Sequence, residues 1–501
     1  VYDLAFAQQL KNKDIPEGGS KAALLVHPLG KVERSVKAFV DSILDLITPD
    51  PATRSRVIDL FDHDELLYLG PDENITPKMI NWIVDRATRR GYPMPTALMS
   101  SKPGAGINHK EYGVTSEGVA VFLESALAAR GIDPHTQPFT VKMTGGPDGD
   151  VGGNLIRILV RDYGDNATFV GIADGNGSAE DPDGLDSAEL IRLLENELPI
   201  TMFSPACLGP RGRVVPVSAP EGVQIRNTMH NRVVADAFVP CGGRPNTIHS
   251  SNWRSFLDDQ GVPTSSIIIE GANLFLTPHA RNALSEAGVM IFKDSSANKC
   301  GVICSSYEIA ASMLLDEETF LTIKSIFVEQ VLTRLRELAG AEAELLVRLY
   351  TQRPDTPLPT MSIQLSRVMI RVGDAIEAAM EEMGPTVTKD LRQLVIDHLP
   401  PILVETAGDA VWEKTPAPYL RWIMAKSLAA RMVYREGLES IEAMSDSAIA
   451  ETAIRFLAAE QERRSLAEEV MDSQMVDRDR IARILNQSSI LSTLDATDDG
   501  N

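Results

Sequence analysis

The sequence predicts an α/β chain in which a doubly wound, mainly parallel sheet lies between an N-terminal α/β lobe and a helical C-terminal region. Three observations predict it. Between Gly113 and Cys304, short β-rich runs alternate with helical patterns, the alternation that builds a parallel sheet covered on both faces. After Cys304 the β-rich runs stop, and apolar residues continue at helical spacing. The chain has 501 residues, more than one hydrophobic core organises, so several domains are expected.

In order along the chain, AALLVHP after Lys21 reads as a short buried strand. KMINWIVDRATRR from Lys78 reads as an amphipathic helix. Thr115 to Ala129 is helical, with Gly131 as its stop. PFTVKMTG from Pro138 is a β-rich run, and Asn154 to Val160 continues as helix. ATFVGIADGNG from Ala167 is a second strand with a glycine-rich exit, followed by the helical LDSAELIRLLENE. VVADAFVP, SIIIEGAN and GVMIFKD are three further strands. Phe320, Ile323, Phe327, Val331, Leu335 and Leu338 then form one apolar stripe on a long helix. Helical patterns continue to about Asp472, and residues 490–501 read as a frayed tail.

Composition narrows the function classes. The formal charge of -22 repels phosphate backbones and anionic lipids. Nucleic acid and membrane surfaces are therefore excluded as expected partners. Four cysteines are too few for a disulfide scaffold, and Cys300 and Cys304 have no histidine nearby to complete a zinc site. A reducing compartment and no metal are expected. No apolar run reaches the ~20 residues that span a bilayer. Val1 stands where a complete chain would carry methionine, so the sequence reads as part of a longer one.

The chemistry-bearing residues lie where β-rich runs end. GGPDGDVGG, Gly145 to Gly153, follows a strand and opens a helix. Glycines there allow a tight turn and let backbone N–H groups approach a pyrophosphate at the helix N-terminus. Gly149, Asp150, Val151 and Gly152 form that turn; with Gly149 and Gly152 as second and third glycines, the first falls on Pro147. The next strand ends at Asp174, near the ~20-residue offset of a ribose-binding acid. Together these features point to a Rossmann-like lobe binding a nicotinamide dinucleotide. Asp174 also reads as a turn-initiating aspartate before Gly175.

KNKDIPEGGSK places Lys11, Lys13 and Lys21 close together. If the segment is a strand, Lys11 and Lys13 share a face. Lys21, between glycines and a core-like run, is expected to be partly desolvated. Desolvation and neighbouring cations lower a lysine pKa, and such a lysine moves protons or polarises a carbonyl. LGPDENITPKMI, KEYGVTSEGV, IIEGANLFLTP and SSANKCGVICSSYE read as loops at element ends, where function concentrates.

From Tyr2 to Glu308 these segments, in this order, resemble the glutamate dehydrogenase family, and most closely its large NAD-specific class. The resemblance implies the following roles. IPEGGSK carries the catalytic lysine, Lys21, and GPDENITPKMI the catalytic aspartate, Asp72. GVTSEGV is the turn near the nicotinamide, with Thr115. VGIADGNG ends at Asp174, and IIEGAN leads to Asn273 on the coenzyme side. NKCGVICSSYE places Asn298 and Val302 near the substrate and Ser305 on its distal carboxylate. The family's α-carboxylate lysine falls on Gln9, so Lys11 or Lys13 takes that role. Its γ-carboxylate lysine belongs to a segment upstream of Val1. Thr115 and Asp72 also read as helix caps, Asn273 as a turn residue, and Ser305 as a buried hydroxyl bonded to backbone.

The resemblance implies a substrate lobe over 1–114, incomplete at its N-terminus, an NAD-binding lobe over 115–305, and a helical return and C-terminal region over 306–489. It implies oxidative deamination of L-glutamate to 2-oxoglutarate and ammonium with NAD, by a homo-oligomer of the cytoplasm or mitochondrial matrix. Two alternatives stay open: a relative acting on leucine, phenylalanine or valine, and a fragment that binds NAD without turnover.

Overall fold

The computed structural model describes residues 1–492, apart from 49, 59, 61–64, 72–73, 103 and 383–388. The predicted aspartate Asp72 and most of the expected tail lie outside the described residues; Ile490 and Leu491, at its start, are buried.

The chain opens with helix α1 (Tyr2–Lys11) and a single 3₁₀ turn over Asn12–Asp14. The segment is therefore not the strand on which Lys11 and Lys13 would have shared a face. A second difference follows at once. Residues 22–27 form no strand, and Leu24 and Leu25 are exposed. A buried strand needs ladder partners for its N–H and C=O groups, and among the described residues no strand pairs with this segment.

Helices α2 (Val32–Ile47) and α3 (Pro77–Arg89) pack together over Val36, Val40, Leu44, Met79, Ile80, Ile83 and Ala87. The start of α3 follows from its sequence: Thr76 Oγ1 accepts from Met79 N at 3.4 Å, and Pro77 occupies the first turn. Its buried residues recur at three- and four-residue steps. Truncating Ile83 to alanine would cost about 2–5 kcal/mol.

Next come α4 (Val114–Ala129), β1 (Phe139–Thr144), α5 (Asp150–Tyr163), β2 (Ala167–Ala173), β3 (Gly177–Leu185), α6 (Ser187–Glu195), β4 (Arg213–Pro216), α7 (Gly222–Arg232), β5 (Ala237–Pro240), β6 (Ile267–Ile269), α8 (Pro278–Glu286) and β7 (Met290–Phe292). The seven strands form one sheet in the order β4-β3-β2-β1-β5-β6-β7. From β2 to β7 all neighbours are parallel; β3 and β4 join antiparallel. The two faces separate with the two-residue period of a strand. Val239, Ile267 and Ile269 face the main core with α4 and α5. Phe238, Ile268 and Ile291 face a second cluster with Leu284 of α8. The sheet is thus covered on both faces.

The two antiparallel strands carry no apolar alternation. β3 reads GSAEDPDGL, with charges and a proline. Its register against β2 shifts between Phe169 and Gly171, so Pro182 and Asp183 bulge out of the ladder and stay exposed. Glu180 is held by Arg213 and Arg232, each at 2.8 Å.

The run read as a loop at Cys300 is instead helix α9 (Cys300–Leu314), buried along most of its length. It leads into α10 (Glu317–Gln352), α11 (Leu358–Glu382), α12 (Ala417–Glu436) and α13 (Asp446–Asp472). The stripe from Phe320 to Leu335 does line the core side of α10. These helices pack back on the sheet domain: α10 lies on α4, and α11 reaches β7. Among the described residues no helix is long and apolar enough to cross a membrane.

Candidate active site

The tips of β1, β2, β5 and β6 bring the site together. β1 runs into Gly145, whose φ of +97° is reserved for glycine, at the point where the turn doubles back beside Gly242. The helix α5 starts at Asp150 with Gly149 as its cap. A side chain at Gly152 would meet Gly145 O at 2.6 Å. The helix therefore approaches the strand exit as closely as backbone allows, and its first-turn N–H groups, which have no helical partner, point at the turn. Asn154 Nδ2 donates to the Asp150 carbonyl at 2.9 Å and makes a long contact of 3.5 Å with its carboxylate. Val151 O accepts from Ser116 Oγ at 2.9 Å, and its side chain faces Gly271 at the end of β6. Half-buried Thr115, one residue earlier on α4, stands beside Gly301, where an added Cβ would lie 2.9 Å from its hydroxyl. Val302 is the next residue on α9.

Asp174 ends β2 against this turn. Its carboxylate accepts from Asn176 N (2.7 Å), Gly177 N (3.1 Å) and Ile200 N (2.6 Å). Burial raises its pKa, and those bonds oppose the rise. The turn-forming role is real, and it holds the carboxylate beside Gly146. No basic residue follows Asp174 closely in sequence. In space, however, Arg226 of α7 donates to Asp174 O at 3.2 Å, and its buried Nε has no hydrogen-bond partner among the described residues.

On the other side of the turn, Lys11, at the end of α1, donates to Asn273 Oδ1 at 2.5 Å. Asn298 donates to the same oxygen at 3.2 Å and to Gly271 O at 3.0 Å. Its own buried Oδ1 has no hydrogen-bond partner among the described residues. Burial lowers the Lys11 pKa to about 8; Asp294 opposes this, and Lys293, Lys21 and Lys13 add to it. Three further lysines are thus near enough to act on Lys11. Lys21 is half-buried.

The two lysines that the sequence left as alternatives part company. Lys13 is fully enclosed: it pairs with Glu342 at 3.2 Å and donates to Leu10 O and Ser295 O. Lys11 is the one that reaches the loop after β6. Gln9 donates to Gly19 O at 2.5 Å and folds the lysine-bearing loop back on α1. Ser305 donates to Gly301 O in its own helix at 3.3 Å, and Tyr68 approaches it from the N-terminal lobe.

Several residues in this region carried no separate signal. Asp14, Lys299, Glu342 and Tyr434 surround Lys13. Glu17 is bound by Ser306 and Tyr419, and burial pushes its carboxyl up to about 7. Their partners lie up to 420 positions away, beyond any local pattern. Asp14, Glu17, Lys299 and Ser306 fell inside motifs already singled out; Glu342, Tyr419 and Tyr434 did not. Among the described residues no cluster could hold a metal ion.

Residues 105–348 match the model of the Glutamate/Leucine/Phenylalanine/Valine dehydrogenase family. The chain is 35% identical over 472 residues to the NAD-specific glutamate dehydrogenase of Neurospora crassa, covering 87% of this chain and 43% of that protein. It is 35% identical over 477 residues to the NAD-specific glutamate dehydrogenase of Saccharomyces cerevisiae, with the same shares of 87% and 43%. The chain therefore spans less than half the length of these curated relatives. Among solved structures, the glutamate dehydrogenase of Plasmodium falciparum is similar in fold, with a TM-score of 0.50 at 18% identity, covering 73% of this chain and 72% of that one.

Proposed function

We propose, from the premise that this chain belongs to the Glutamate/Leucine/Phenylalanine/Valine dehydrogenase family through residues 105–348, that it oxidises L-glutamate to 2-oxoglutarate and ammonium with NAD. The relatives named NAD-specific glutamate dehydrogenases support the substrate and the coenzyme. The observation that carries the reading is the meeting of Lys11, Asn273 and Asn298 beside the glycine turn.

The residues present fit a dinucleotide. Gly145, Gly149 and Gly152 make a side-chain-free cradle at the start of α5, and the helix N-terminus favours a pyrophosphate. Asp174 stands at the ribose end, and Thr115 and Asn273 at the nicotinamide end. NAD, when bound, supplies a two-electron acceptor for the hydride on the substrate α-carbon.

The protein's own groups would act as follows. Lys11 holds the α-carboxylate by charge. Asn298 offers its unpartnered Oδ1 to the α-amino group, with Val302 against the substrate's carbon chain. Lys21 polarises the water that attacks the imine and stabilises the carbinolamine oxygen. Asp72, outside the described residues, shuttles protons to and from nitrogen. Ser305 lies toward the distal carboxylate. The lobes 1–114 and 115–305 close on one another to exclude bulk water. Small molecules are the expected partners, and the protein assembles as a homo-oligomer.

The test is turnover. Purified protein is assayed for NADH formation with L-glutamate and, separately, with leucine, phenylalanine and valine. Glutamate as the preferred substrate supports the reading; preference for an apolar amino acid, or no turnover, rejects it.

A further inference from the structure

We propose that Tyr434 and Tyr419, both on α12, are positioning residues: their hydroxyls grip Asp14 and Glu17 and so fix the segment that presents Lys11 and Lys21 to the cleft. The inference rests on the functional reading above and gives the C-terminal helical region a role in it.

The segment 12–19 is held at three points. At Asp14, Lys299 pairs with one carboxylate oxygen and the Tyr434 hydroxyl donates to the other. Lys299 also donates to Tyr434 Oη at 2.8 Å and to Glu342 Oε2 at 2.5 Å, and Glu342 pairs with Lys13 at 3.2 Å. Two ammonium groups thus face two carboxylates with their side chains fully out of water, drawn from the N-terminal turn, the start of α9 and the middle of α10. Tyr434 adds α12 to the set. At Glu17, the Tyr419 hydroxyl and Ser306 Oγ, the latter at 3.0 Å, bind one oxygen. At Gly19, Gln9 binds the carbonyl, and an added Cβ would collide with Gln8 and Asn12.

The two tyrosines are fifteen positions apart, close to four turns at 3.6 residues per turn, so both hydroxyls leave one face of α12. Asp14 follows Lys11 by three residues and Glu17 precedes Lys21 by four. Each tyrosine therefore anchors the chain next to one lysine. A lysine on a flexible stem is only as well placed as its backbone, and misplacement of about 1 Å costs catalysis heavily.

Phenylalanine tests this cleanly, because it keeps the ring, including the Lys299 ammonium 5.3 Å from the Tyr434 ring centre, and removes only the hydroxyl. Tyr434→Phe, Tyr419→Phe and the double variant are compared with wild type in the complete protein. The readouts are glutamate KM and kcat, NAD dissociation constant, melting temperature and amide hydrogen exchange across residues 11–21. Tyr434→Phe, which frees the chain beside Lys11, is expected to raise glutamate KM about tenfold, and Tyr419→Phe, which frees the chain beside Lys21, to lower kcat about tenfold, as for loss of one hydrogen bond to a buried carboxyl. The double variant should do more. Exchange in 11–21 should quicken and melting temperature fall by a few degrees while NAD binding holds. Unchanged glutamate KM, kcat and exchange in both single variants would overturn the proposal. So would a loss falling equally on glutamate kinetics and NAD binding. If wild type turned over a different amino acid, the functional reading would fail, and hydrogen exchange would still decide whether the tyrosines hold the segment.

Discussion

Lys11 and Asn273 lie 262 positions apart in the chain, and the ammonium of one is 2.5 Å from the amide oxygen of the other. The contact joins the end of α1 to the loop after β6. It also buries a cation, and burial lowers the Lys11 pKa to about 8. As pH rises through that value the ammonium loses its charge, and with it the attraction for a carboxylate. Glutamate KM is therefore expected to rise above about pH 8. Lys11→Arg carries a guanidinium that stays charged throughout. It should raise KM at neutral pH by crowding and abolish the alkaline rise. An unaltered alkaline rise in the variant would remove Lys11 from the binding of the α-carboxylate.

Lys21→Ala is expected to reduce turnover by a factor on the order of 10³ while NAD binding is retained. Asp72→Asn, which keeps shape and removes basicity, should depress kcat far more than it changes glutamate KM. Steady-state kinetics with each variant check both. Near-normal kcat in either assigns that residue to structure.

Coenzyme choice is expected to turn on Asp174 and Arg226 together. The carboxylate at the end of β2 repels the 2′-phosphate of NADP, and a few kcal/mol of repulsion in a partly shielded cleft gives about two decades of preference for NAD. Asp174→Ser removes the repulsion and leaves Arg226 3.2 Å from the residue's carbonyl, so NADP use should rise. Adding Arg226→Ala should take that gain away. The measurement is the ratio of catalytic efficiencies with the two coenzymes. A ratio unchanged in Asp174→Ser would mean that the three backbone N–H bonds are the whole role of this side chain.

The parallel part of the sheet was legible because β1, β2, β5, β6 and β7 are short apolar runs that end in glycine, proline or charged residues. β3 was not, because its charges are neutralised by Arg213 and Arg232 from other elements, which no local pattern reveals. AALLV looked like a strand for the opposite reason: its composition suits a ladder, and among the described residues no strand pairs with it. At the site, Lys11, Asn273 and Asn298 could be named from motifs, and the structure brings them together. The choice between Lys11 and Lys13 depended on α1 being a helix followed by a 3₁₀ turn, which separates two side chains that a strand would align.

Glu342→Gln is expected to lower stability by about 3–5 kcal/mol, because it leaves Lys13 and Lys299, both fully buried, with one carboxylate between them. Lys13 and Lys299 hold Glu342 ionised against the burial that would protonate it. Urea or thermal unfolding measures the loss. A change within ~0.5 kcal/mol, the range of an ordinary surface substitution, would show that this cluster is not a stabilising feature.

The most direct test of the central claim is a substrate panel on wild-type protein, reading NADH formation with L-glutamate against leucine, phenylalanine and valine at equal concentration. A site built to engage two carboxylates rejects an apolar side chain strongly, since its buried polar groups are then left unpaired. The expected result is a catalytic efficiency for glutamate roughly 10³-fold or more above each of the others. Equal or better turnover of leucine, phenylalanine or valine, or no NADH with any of the four, would contradict it.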